Sequence, residues 1–407
     1  MAGPLSHIKV LDLSRVLAAP WAGQNLADLG AQVIKVERPG GGDDSRAFGP
    51  PWLKDARGAD TKESAYFAAA NRGKKSITIN ISKPEGQELV RKLAAGVDVL
   101  LENYKHGDLA RYGLGYEDLR KINPRLIYCS VTGFGQTGPY KERPGYDFMV
   151  QGMGGLMSIT GERDDLPGGG PQRVGVPIVD IMTGMYASIA VCAAIAHRAE
   201  TNVGQHLDLA LLDTQVAFLA NQAMNYLATG DAPGRLGNAH PNIVPYQTFN
   251  TKDGAIILAC GNDNLFNKFC AVAGCQELAK DPRFATNAKR VENRVELTEK
   301  LNLVFAQRST REWVEALDQA GVANGPINNL KQVFEEPQVV ARGVKIEMDH
   351  PTAGKVQLVA SPMRFSATPV EYKLPPPTLG QHTEEILRDV LKLDDAGIAG
   401  LRAGKIV

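Results

Sequence analysis

The chain has 407 residues, and at about 150 residues per domain this length predicts two or three domains. Its 45 Lys and Arg residues balance its 45 Asp and Glu residues, which argues against the basic excess that non-specific nucleic-acid binding needs. With 42 glycines, 24 prolines and 43% hydrophobic residues, the composition is that of a globular protein and not of a collagen or a low-complexity chain.

Short apolar runs alternate with helical patterns along the first third of the chain. Strands are predicted at Ile8–Leu13, Gln32–Val36, Ser76–Ile81, Val97–Glu102 and Leu126–Thr132. Helices are predicted near Pro20, a favoured helix start, and at Pro84–Ala95 and Tyr116–Ile122. Because strands that alternate with helices form parallel sheets, this pattern predicts a doubly wound α/β domain.

The alternation continues through the middle of the chain and then changes. The predicted elements are a strand at Arg173–Val179, a helix from about Met182 to His197, a strand at Gln205–Leu209 and a long amphipathic helix at Asp213–Leu227. The Gly- and Pro-rich stretch Thr229–His240 is interpreted as a linker. After it, a hairpin and then helices up to Ala320 predict a second, α+β domain. A further hairpin and a last helix are predicted at Val344–Met348 with Val356–Ala360 and at Thr383–Lys392.

The cysteines and the amino-terminal residues indicate an intracellular protein. The five cysteines are odd in number and include no CxxC spacing, so neither a disulfide framework nor a structural zinc site is expected. The first residues lack the basic and apolar regions of a secretory signal. The longest nearly apolar run, Met185–Ala196, is shorter than the roughly 18–20 residues that span a bilayer. We therefore expect a cytoplasmic protein with no membrane span, no metal and no nucleic-acid partner.

Common catalytic motifs are absent, but one acidic residue stands in a suggestive place. The sequence has no GxGxxG after its first strand, no P-loop, no HExxH and no GxSxG. Asp180 ends the predicted strand and opens an apolar helix, which would place it at the carboxyl edge of a parallel sheet, where ligands bind. Aspartate is also a favoured helix N-cap, so the residue type by itself leaves both roles open.

Several short segments follow one another in a distinctive order: Val10–Val16, Gly30–Gly40, Asn71–Ser76, Glu102–Tyr104, Ser130–Gly135, Arg143–Asp147 and Val174–Asp180. Each is weak alone, but together they resemble the class III CoA-transferase family, the group of L-carnitine dehydratase and bile-acid-inducible protein F. The later segments look most like the members that use succinate with hydroxymethylglutarate or glutarate. These segments are Ala239–Phe249, Gly325–Asn329 and Leu379–His382.

The resemblance implies a fold and an assembly. Members of the family have a large Rossmann-like domain built from both chain ends and a smaller inserted domain. For this chain the implied boundaries are 1–228 with 331–407 for the large domain and 229–330 for the small one. Two chains of the family interlock into a homodimer, and the active site lies between the large domain of one subunit and the small domain of the other.

The resemblance also implies the chemistry. The family's catalytic carboxylate falls on Asp180, which would attack an acyl-CoA as a nucleophile and carry CoA as an aspartyl thioester, with an aspartyl anhydride before and after it. Coenzyme A is a co-substrate in this scheme, and no other cofactor and no metal takes part. The implied partners are an acyl-CoA such as succinyl-CoA and a dicarboxylate acceptor such as glutarate or hydroxymethylglutarate.

Substrate-contacting positions carry over one at a time. The implied CoA contacts are Val16, Ala18, Arg38, Lys75, Asn103, Tyr104 and Arg111. Arginine and lysine suit phosphate recognition, although each of these basic residues is also compatible with a solvated surface charge. His240 and Tyr246 are expected to hold the far carboxylate of the acid, since a neutral imidazole can donate a hydrogen bond. A structural histidine in the linker turn is the alternative.

Three other functions are weighed against transfer. An α-methylacyl-CoA racemase has the same fold but needs two acid/base groups, and its Gly-His-Asp motif is replaced here by Gly145-Tyr146-Asp147. Tyrosine, with a pKa of about 10, is a poor base, which favours transfer. A CoA-binding protein without catalysis is disfavoured because Asp180 is present. A nicotinamide dehydrogenase is disfavoured because the glycine fingerprint is missing.

Overall fold

Most strands lie where the sequence has its short apolar runs. In chain order they are β1 (Lys9–Asp12), β2 (Gln32–Glu37), β3 (Trp52–Lys54), β4 (Asp60–Ser64), β5 (Lys74–Thr78), β6 (Val99–Glu102), β7 (Ile127–Thr132), β8 (His206–Ala210), β9 (Tyr246–Asn250), β10 (Ala255–Ala259), β11 (Ala323–Pro326), β12 (Lys345–His350) and β13 (Gly354–Val359). The short hairpin of β3 and β4 was not predicted from the sequence.

The helices complete the element order of this computed structural model, which describes residues 3–407. They are α1 (Ala18–Asp28), α2 (Ala65–Ala69), α3 (Pro84–Ala95), α4 (Tyr116–Ile122), α5 (Asp147–Met153), α6 (Leu156–Ile159), α7 (Ile178–Thr201), α8 (Leu211–Ala217), α9 (Ala220–Thr229), α10 (Asp263–Ala273), α11 (Gln276–Lys280), α12 (Asn287–Glu292), α13 (Arg294–Phe305), α14 (Thr310–Gln319), α15 (Leu330–Glu335), α16 (Pro337–Ala341), α17 (Thr383–Glu385) and α18 (Asp395–Ala403).

The chain divides into two units. Unit 1 comprises Met1–Leu156, Val174–Ala223 and Gln338–Val407, and unit 2 comprises Met157–Arg173 and Met224–Pro337. The sequence boundaries had left the segment 157–173 in the large domain, whereas its contacts group it with unit 2.

Six parallel strands form the sheet of unit 1, in the order β5-β2-β1-β6-β7-β8. Counted along the chain within this sheet, the order is 3-2-1-4-5-6, which is the order of Rossmann folds. The predicted parallel α/β sheet is therefore confirmed. The order reverses between β1 and β6, so the loops that follow these two strands leave a crevice at the carboxyl edge.

Burial on both faces of the sheet explains why its strands are almost continuously apolar. Neighbouring residues of β1 enter different cores, since Val10 packs in one hydrophobic cluster and Leu11 in the other. Leu100 and Leu101 of β6 are divided between the clusters in the same way. All four side chains are 0% exposed, so the centre of the sheet is closed to solvent.

The long helix α7 owes its apolar composition to its place in the core of unit 1. Val179, Ala187 and Val191 are buried in the cluster that also contains α1. Gly184 allows the two helices to approach, because an added Cβ would lie 2.4 Å from the carbonyl oxygen of Ala18. Among residues 3–407, α7 is also the one helix long and apolar enough to cross a membrane, a property that core helices share.

Three predicted elements are wrong. Arg173–Val179 forms no strand, because it contains Gly175 and Pro177 and its Val174 N–H donates to a side chain, Gln151. The predicted helix Asp213–Leu227 is broken into α8 and α9, where Ala220 has φ +46°. The predicted last helix is a short α-helical turn followed by a π-helical turn, Ile386–Val390, and α18 beyond it was missed.

Unit 2 has its own core. Its sheet has the order β11-β10-β9 and is antiparallel, and the predicted hairpin of β9 and β10 is confirmed. Aromatic rings pack together in this core: Phe305 is stacked on Phe249 with ring centroids 4.6 Å apart, and Trp313 is tilted against it at 4.8 Å. A capping box of Ser309 and Glu312 starts α14.

Candidate active site

A cavity of about 230 Å³ opens at the carboxyl edge of the parallel sheet, and we call it the carboxyl-edge cavity. Its walls come from the loops after β1, β6 and β7 and from the first turn of α7. The residues from the sequence analysis that line it are Val16, Ala18, Asn103, Tyr104 and Asp180. The structure thus brings the expected nucleophile and four expected CoA contacts together at the switch point of the sheet, where α/β folds bind ligands.

Asp180 lies in the first turn of α7 and not at the end of a strand. The cap of this helix comes from Asp147, whose Oδ2 accepts hydrogen bonds from the N–H groups of Val179 (2.8 Å) and Asp180 (3.3 Å). Gln151 holds Asp147 in place, because its Nε2 donates to Asp147 Oδ1 at 2.6 Å. Since Asp147 performs the capping, the carboxyl group of Asp180 is left for the cavity.

The surroundings of Asp180 disfavour its negative charge. Burial and the neighbouring charge of Asp147 raise the pKa of Asp180 to about 7. The carboxyl group therefore changes between its neutral and ionised forms near physiological pH, unlike a solvent-exposed aspartate. A buried carboxylate with few stabilising partners is a stronger nucleophile than a solvated one, which suits acyl transfer.

Buried charges fix the loop after β1. Val16 has φ +69°, a strained value for a β-branched residue, and its N–H donates to Asp43 Oδ1 at 3.0 Å. The other oxygen of Asp43 lies 2.8 Å from Lys35 Nζ, and both side chains are fully buried. Lys35 Nζ also donates to the carbonyl oxygen of Ser14 at 2.7 Å. Although burial opposes its ionisation, the charge of Lys35 lowers the pKa of Asp43 well below its usual range.

Asn103 ties the loop after β6 to the loop after β1. Its Oδ1 accepts from the N–H of Arg15 at 2.8 Å, and its Nδ2 donates to the carbonyl oxygen of Arg15 at 2.6 Å. The next residue, Tyr104, donates its N–H to Glu102 Oε2 at 2.8 Å. The two bonds between Asn103 and Arg15 tie the loop after β6 to the loop after β1, so these two parts of the cavity wall are joined directly.

Several basic residues of the cavity were missed as site residues in the sequence analysis. Arg15, Lys105, Lys141 and Arg143 line it, and they suit a phosphate-bearing ligand. The only available signal was the resemblance, since Arg143 begins one of the segments that carry it. Arg143 is positioned by the ring of Tyr140, whose centroid lies 4.5 Å from its guanidinium carbon.

Two glycines allow the segment with Arg143 to reach the end of β7. An added Cβ on Gly145 would lie 2.3 Å from the Cα of Gly133, so the two backbones touch there. This contact places Tyr146 on the cavity wall and Asp147 at the start of α5, from which it caps α7. Each residue of the Gly145-Tyr146-Asp147 segment thus has a structural role: close backbone contact, cavity wall and helix cap.

The remaining expected CoA contacts do not line this cavity. Arg38 is exposed and pairs at 3.0 Å with Asp44, which is a lining residue. Arg111 is exposed and pairs with Asp108, another lining residue. Lys75 lines a different cavity at the opposite edge of the sheet and pairs with Glu385. The structure therefore leaves two expected contacts at the rim and separates Lys75 from Asp180.

A buried polar cluster lies behind the wall formed by Tyr104. Ser130 Oγ is 2.9 Å from His206 Nε2, and the Ser130 hydroxyl also bonds to Glu102. Burial raises the pKa of Glu102 to about 7. The bond from the Tyr104 N–H to Glu102 connects this cluster to the cavity wall.

His240 and Tyr246 lie side by side in unit 2. Their ring centroids are 5.3 Å apart, and the backbone N–H of His240 donates to the backbone carbonyl oxygen of Tyr246 at 2.9 Å. His240 Nδ1 accepts from the N–H of Asn242 at 3.1 Å, so in the neutral ring the proton is on Nε2. Burial and the charge of Arg294 lower the pKa of His240, which favours this neutral form. The ring is thus prepared to donate one hydrogen bond.

The side chains do not suggest a metal centre. Within residues 3–407, no three His, Cys, Asp or Glu side chains lie close enough together to hold a metal ion. All five cysteines are free thiols, and four of them are buried.

Curated relatives resemble the chain over almost its whole length. It is 49% identical to a succinate–glutarate CoA-transferase of Agrobacterium fabrum, over 95% of this chain and 96% of that protein. It is 46% identical to a succinyl-CoA:glutarate CoA-transferase of Mus musculus, over 99% of this chain and 90% of that protein.

A solved structure and a family model agree with these relatives. A CaiB/BaiF family protein from Brucella suis superposes with a TM-score of 0.83 at 50% identity, covering 96% of this chain and 100% of that one. The model of CoA-transferase family III matches residues 5–383. The resemblance expected from the sequence is thereby confirmed, and together with the cavity around Asp180 it identifies the chain as a member of CoA-transferase family III, an enzyme that transfers coenzyme A between carboxylic acids.

Proposed function

We propose that this enzyme moves CoA from succinyl-CoA to a short dicarboxylate, with glutarate or hydroxymethylglutarate as the acceptor, and that Asp180 is its covalent nucleophile. The observation that carries the proposal is the partly buried carboxyl group of Asp180 in the carboxyl-edge cavity, with its pKa raised to about 7. The names of the relatives from Agrobacterium fabrum and Mus musculus support the choice of acids.

The proposed reaction has four transfer steps. An oxygen of the Asp180 carboxylate attacks the acyl carbon of succinyl-CoA, the C–S bond breaks, and CoA leaves as a thiolate. The thiolate attacks the aspartyl carbonyl of the mixed anhydride, releases succinate and forms an aspartyl-CoA thioester. A carboxylate oxygen of the acceptor displaces the thiolate and forms a second anhydride. The thiolate then attacks the acceptor's acyl carbon, which yields the new acyl-CoA and restores the Asp180 carboxylate.

Each proposed contact has a reason in the chemistry of its side chain. Val16 and Ala18 pack against the CoA chain, while Asn103 and Tyr104 form the opposite wall. Arg38 and Arg111 bind phosphate groups at the rim, where a flexible cation can move from its present partner to an anionic ligand. Lys75 is left out of this set because of its place in the other cavity.

The acceptor's far carboxylate is proposed to bind His240 and Tyr246 in an interlocked homodimer. A neutral imidazole with its proton on Nε2 can donate to a carboxylate, and the Tyr246 hydroxyl offers a second donor. The proposed reaction uses coenzyme A as a co-substrate and needs no metal. We also propose that the enzyme is cytoplasmic.

The direct test is an ATP-free assay of succinyl-CoA against a panel of acids. We expect glutarate and hydroxymethylglutarate to accept CoA, and the monocarboxylate butyrate to accept it poorly. Hydroxylamine added with succinyl-CoA should convert Asp180 into its hydroxamate, visible as a mass change in the peptide that contains it. Asp180→Asn should lose at least about 10³-fold in rate. Near-normal turnover by this variant would exclude the nucleophile.

The acceptor contact has a test of its own. Loss of a charge-assisted hydrogen bond weakens binding by about 1.5–3 kcal/mol, so His240→Ala should lower the use of glutarate about 10- to 150-fold and leave butyrate unchanged. If the variant discriminates between the two acids as strongly as the wild type, His240 is not the anchor. Exchange of deuterium at the α-carbon of a 2-methylacyl-CoA would instead reveal a racemase, for which Tyr146 is a poor base.

A further inference from the structure

A second and larger cavity lies at the opposite edge of the same sheet. Its volume is about 590 Å³, against about 230 Å³ for the cavity with Asp180. It is lined by the first residues of β1, β2 and β5, by the end of α3 and by the π-helical turn. We call it the amino-edge cavity. Its lining includes Lys9, Val33, Lys92, Val97, Ile386 and Val390.

The catalytic chemistry leaves the amino-edge cavity unexplained. In open α/β sheets, substrates bind at the carboxyl ends of the strands, and the carboxyl-edge cavity already occupies that place. A volume of about 590 Å³ is within the range of pockets that enclose small organic ligands, about 300–1,000 Å³. The cavity therefore has the size of a binding site without a place in the transfer reaction.

The inner wall of the amino-edge cavity is apolar. Val33, Val97 and Ile386 line it, and each is at most 8% exposed because it is also part of the core of unit 1. Val390, at the mouth, is 52% exposed. The wall itself is already almost closed to water, so the gain comes from the ligand: an apolar body that enters the cavity and covers Val390 leaves water, which is favourable at about 25 cal/mol per Å² of apolar surface.

Four lysines line the cavity, and two of them have no carboxylate partner within the described residues 3–407. Each lining carboxylate has a basic partner, since Asp28 pairs with Arg72, Glu371 with Lys373, and Glu385 with Lys75. Lys9 and Lys92 also line the cavity, and in the part of the chain that the structure describes neither ammonium group is paired with a carboxylate. A negatively charged head group would meet these two lysines.

We propose that the amino-edge cavity binds a small amphipathic carboxylate, such as a medium-chain fatty acid, with its chain against Val33, Val97 and Ile386 and its carboxylate near Lys9 and Lys92. The site requires no covalent step and does not depend on which acids the enzyme uses as substrates. An exposed ion pair contributes at most about 1 kcal/mol, so the chain provides most of the affinity and the lysines select the charge.

Calorimetric titration of the full-length protein with octanoate, below its micellar concentration, tests the proposal. We expect one saturable site and a clearly weaker response to the uncharged analogue 1-octanol. The double variant Lys9→Ala/Lys92→Ala should raise the dissociation constant by up to about 25-fold, since each lysine contributes up to about 5-fold. Val390→Glu, which places a carboxylate at the mouth, should weaken octanoate more than 1-octanol.

The matched control is Lys121→Ala/Lys268→Ala, which removes two exposed lysines that do not line the amino-edge cavity and should leave octanoate binding unchanged. Both double variants should keep CoA-transferase activity, which shows that they fold. Crystals soaked with 8-bromooctanoate should show the bromine inside the amino-edge cavity. The proposal is overturned if no saturable binding occurs, if 1-octanol binds as tightly as octanoate, or if neither Lys9→Ala/Lys92→Ala nor Val390→Glu weakens binding.

Discussion

Two aspartates meet at the amino end of α7, namely Asp180 from its first turn and Asp147 from the start of α5. Asp147 accepts the hydrogen bonds of the backbone, at 2.8 Å from Val179 and 3.3 Å from Asp180, and Asp180 keeps its carboxyl group for the cavity. The charge of Asp147 adds to burial in raising the pKa of Asp180 to about 7. The capping residue therefore also raises the pKa of the neighbouring carboxyl group.

Removal of that charge should shift the pH dependence of catalysis. If Asp180 attacks in its ionised form, wild-type kcat/KM rises with pH and is half-maximal at about pH 7. Asp147→Asn retains an oxygen that can cap α7 but removes the charge, so the pKa of Asp180 falls and the half-maximal point moves to lower pH. The control is Asp118→Asn, which removes an aspartate from the first turn of α4 and should leave the profile unchanged. An unshifted profile in Asp147→Asn would contradict the electrostatic role.

The raised pKa of Asp180 also implies a cost in stability. The folded pKa of about 7 lies above the value of about 3.9 in an unfolded chain, so the folded protein loses stability as pH rises between these values. Asp180→Asn should therefore raise the free energy of unfolding by about 1–4 kcal/mol at pH 8 and by less at pH 5, where the folded wild-type group is mostly neutral. Urea unfolding at the two pH values measures the difference, and equal effects at both would argue against a raised pKa.

At the scale of the elements, α1 and α7 pack together, and the first residues of both helices line the cavity. Gly184 in α7 faces the carbonyl oxygen of Ala18 at the start of α1, and Ala18 lines the cavity. The apolar pattern predicted a helix here, and the alternating strands around it predicted a layered fold. The sequence could not show that Gly184 serves helix packing and not ligand approach, because that depends on which helix lies opposite.

A methyl group at this contact should push the two helices apart. The new Cβ of Gly184→Ala would lie 2.4 Å from the Ala18 carbonyl oxygen and 3.0 Å from Trp21 Cβ. We expect a loss of about 1–3 kcal/mol in unfolding free energy together with lower activity. Gly400→Ala in α18 is the matched control, since nothing lies within 4 Å of its new Cβ, and it should stabilise by about 0.5–1 kcal/mol. Similar effects of the two substitutions would contradict the packing role of Gly184.

The loop after β1 depends on a buried ion pair that its own sequence does not contain. The carboxylate of Asp43 accepts a hydrogen bond from the backbone N–H of the strained Val16. The buried ammonium group of Lys35 pairs with the same carboxylate. Asp43→Asn leaves the Lys35 ammonium buried without its partner, so we expect a loss of about 3–5 kcal/mol in unfolding free energy. The KM for every CoA donor should rise more than kcat falls. Asp44 is only partly buried, so Asp44→Asn should change the free energy of unfolding by less than about 1 kcal/mol, and an equal loss in both variants would refute this account.

At the scale of the whole molecule, unit 1 exposes apolar side chains on three helices that pack together, α5, α7 and α8. Phe148, Tyr186, Ile189 and Val216 are each 40–60% exposed. Exposed apolar surface that comes from several elements is typical of protein–protein interfaces. This surface supports the proposed homodimer.

Light scattering after size-exclusion chromatography tests the proposed assembly. We expect the wild type to have twice the chain mass of 43.8 kDa. Ile189→Asp places a charge on the exposed apolar surface and should prevent assembly and lower activity. Val359→Asp, at a residue that is 54% exposed on β13, is the control and should remain dimeric. A monomeric and fully active wild type would contradict the proposal.

The sequence by itself determined the parallel α/β sheet, the positions of most of its strands, the hairpin of β9 and β10 and, through the order of its segments, the family. These features follow from local periodicity and from residues that lie close together in the chain. The failures come from the same source, since the alternating Val174, Val176 and Ile178 imitate a strand although Pro177 and Gly175 interrupt it.

Only the tertiary structure decided how distant residues act on one another. It assigned the cap of α7 to Asp147, tied Arg15 to Asn103, buried Lys35 against Asp43, and separated Lys75 from Asp180. The pKa of a carboxyl group is set by burial and by charges close in space, and neither can be read from its neighbours in the chain. The proposed site therefore depends on how the strands are ordered in the sheet, which brings the ends of β1, β6 and β7 and the start of α7 to one place.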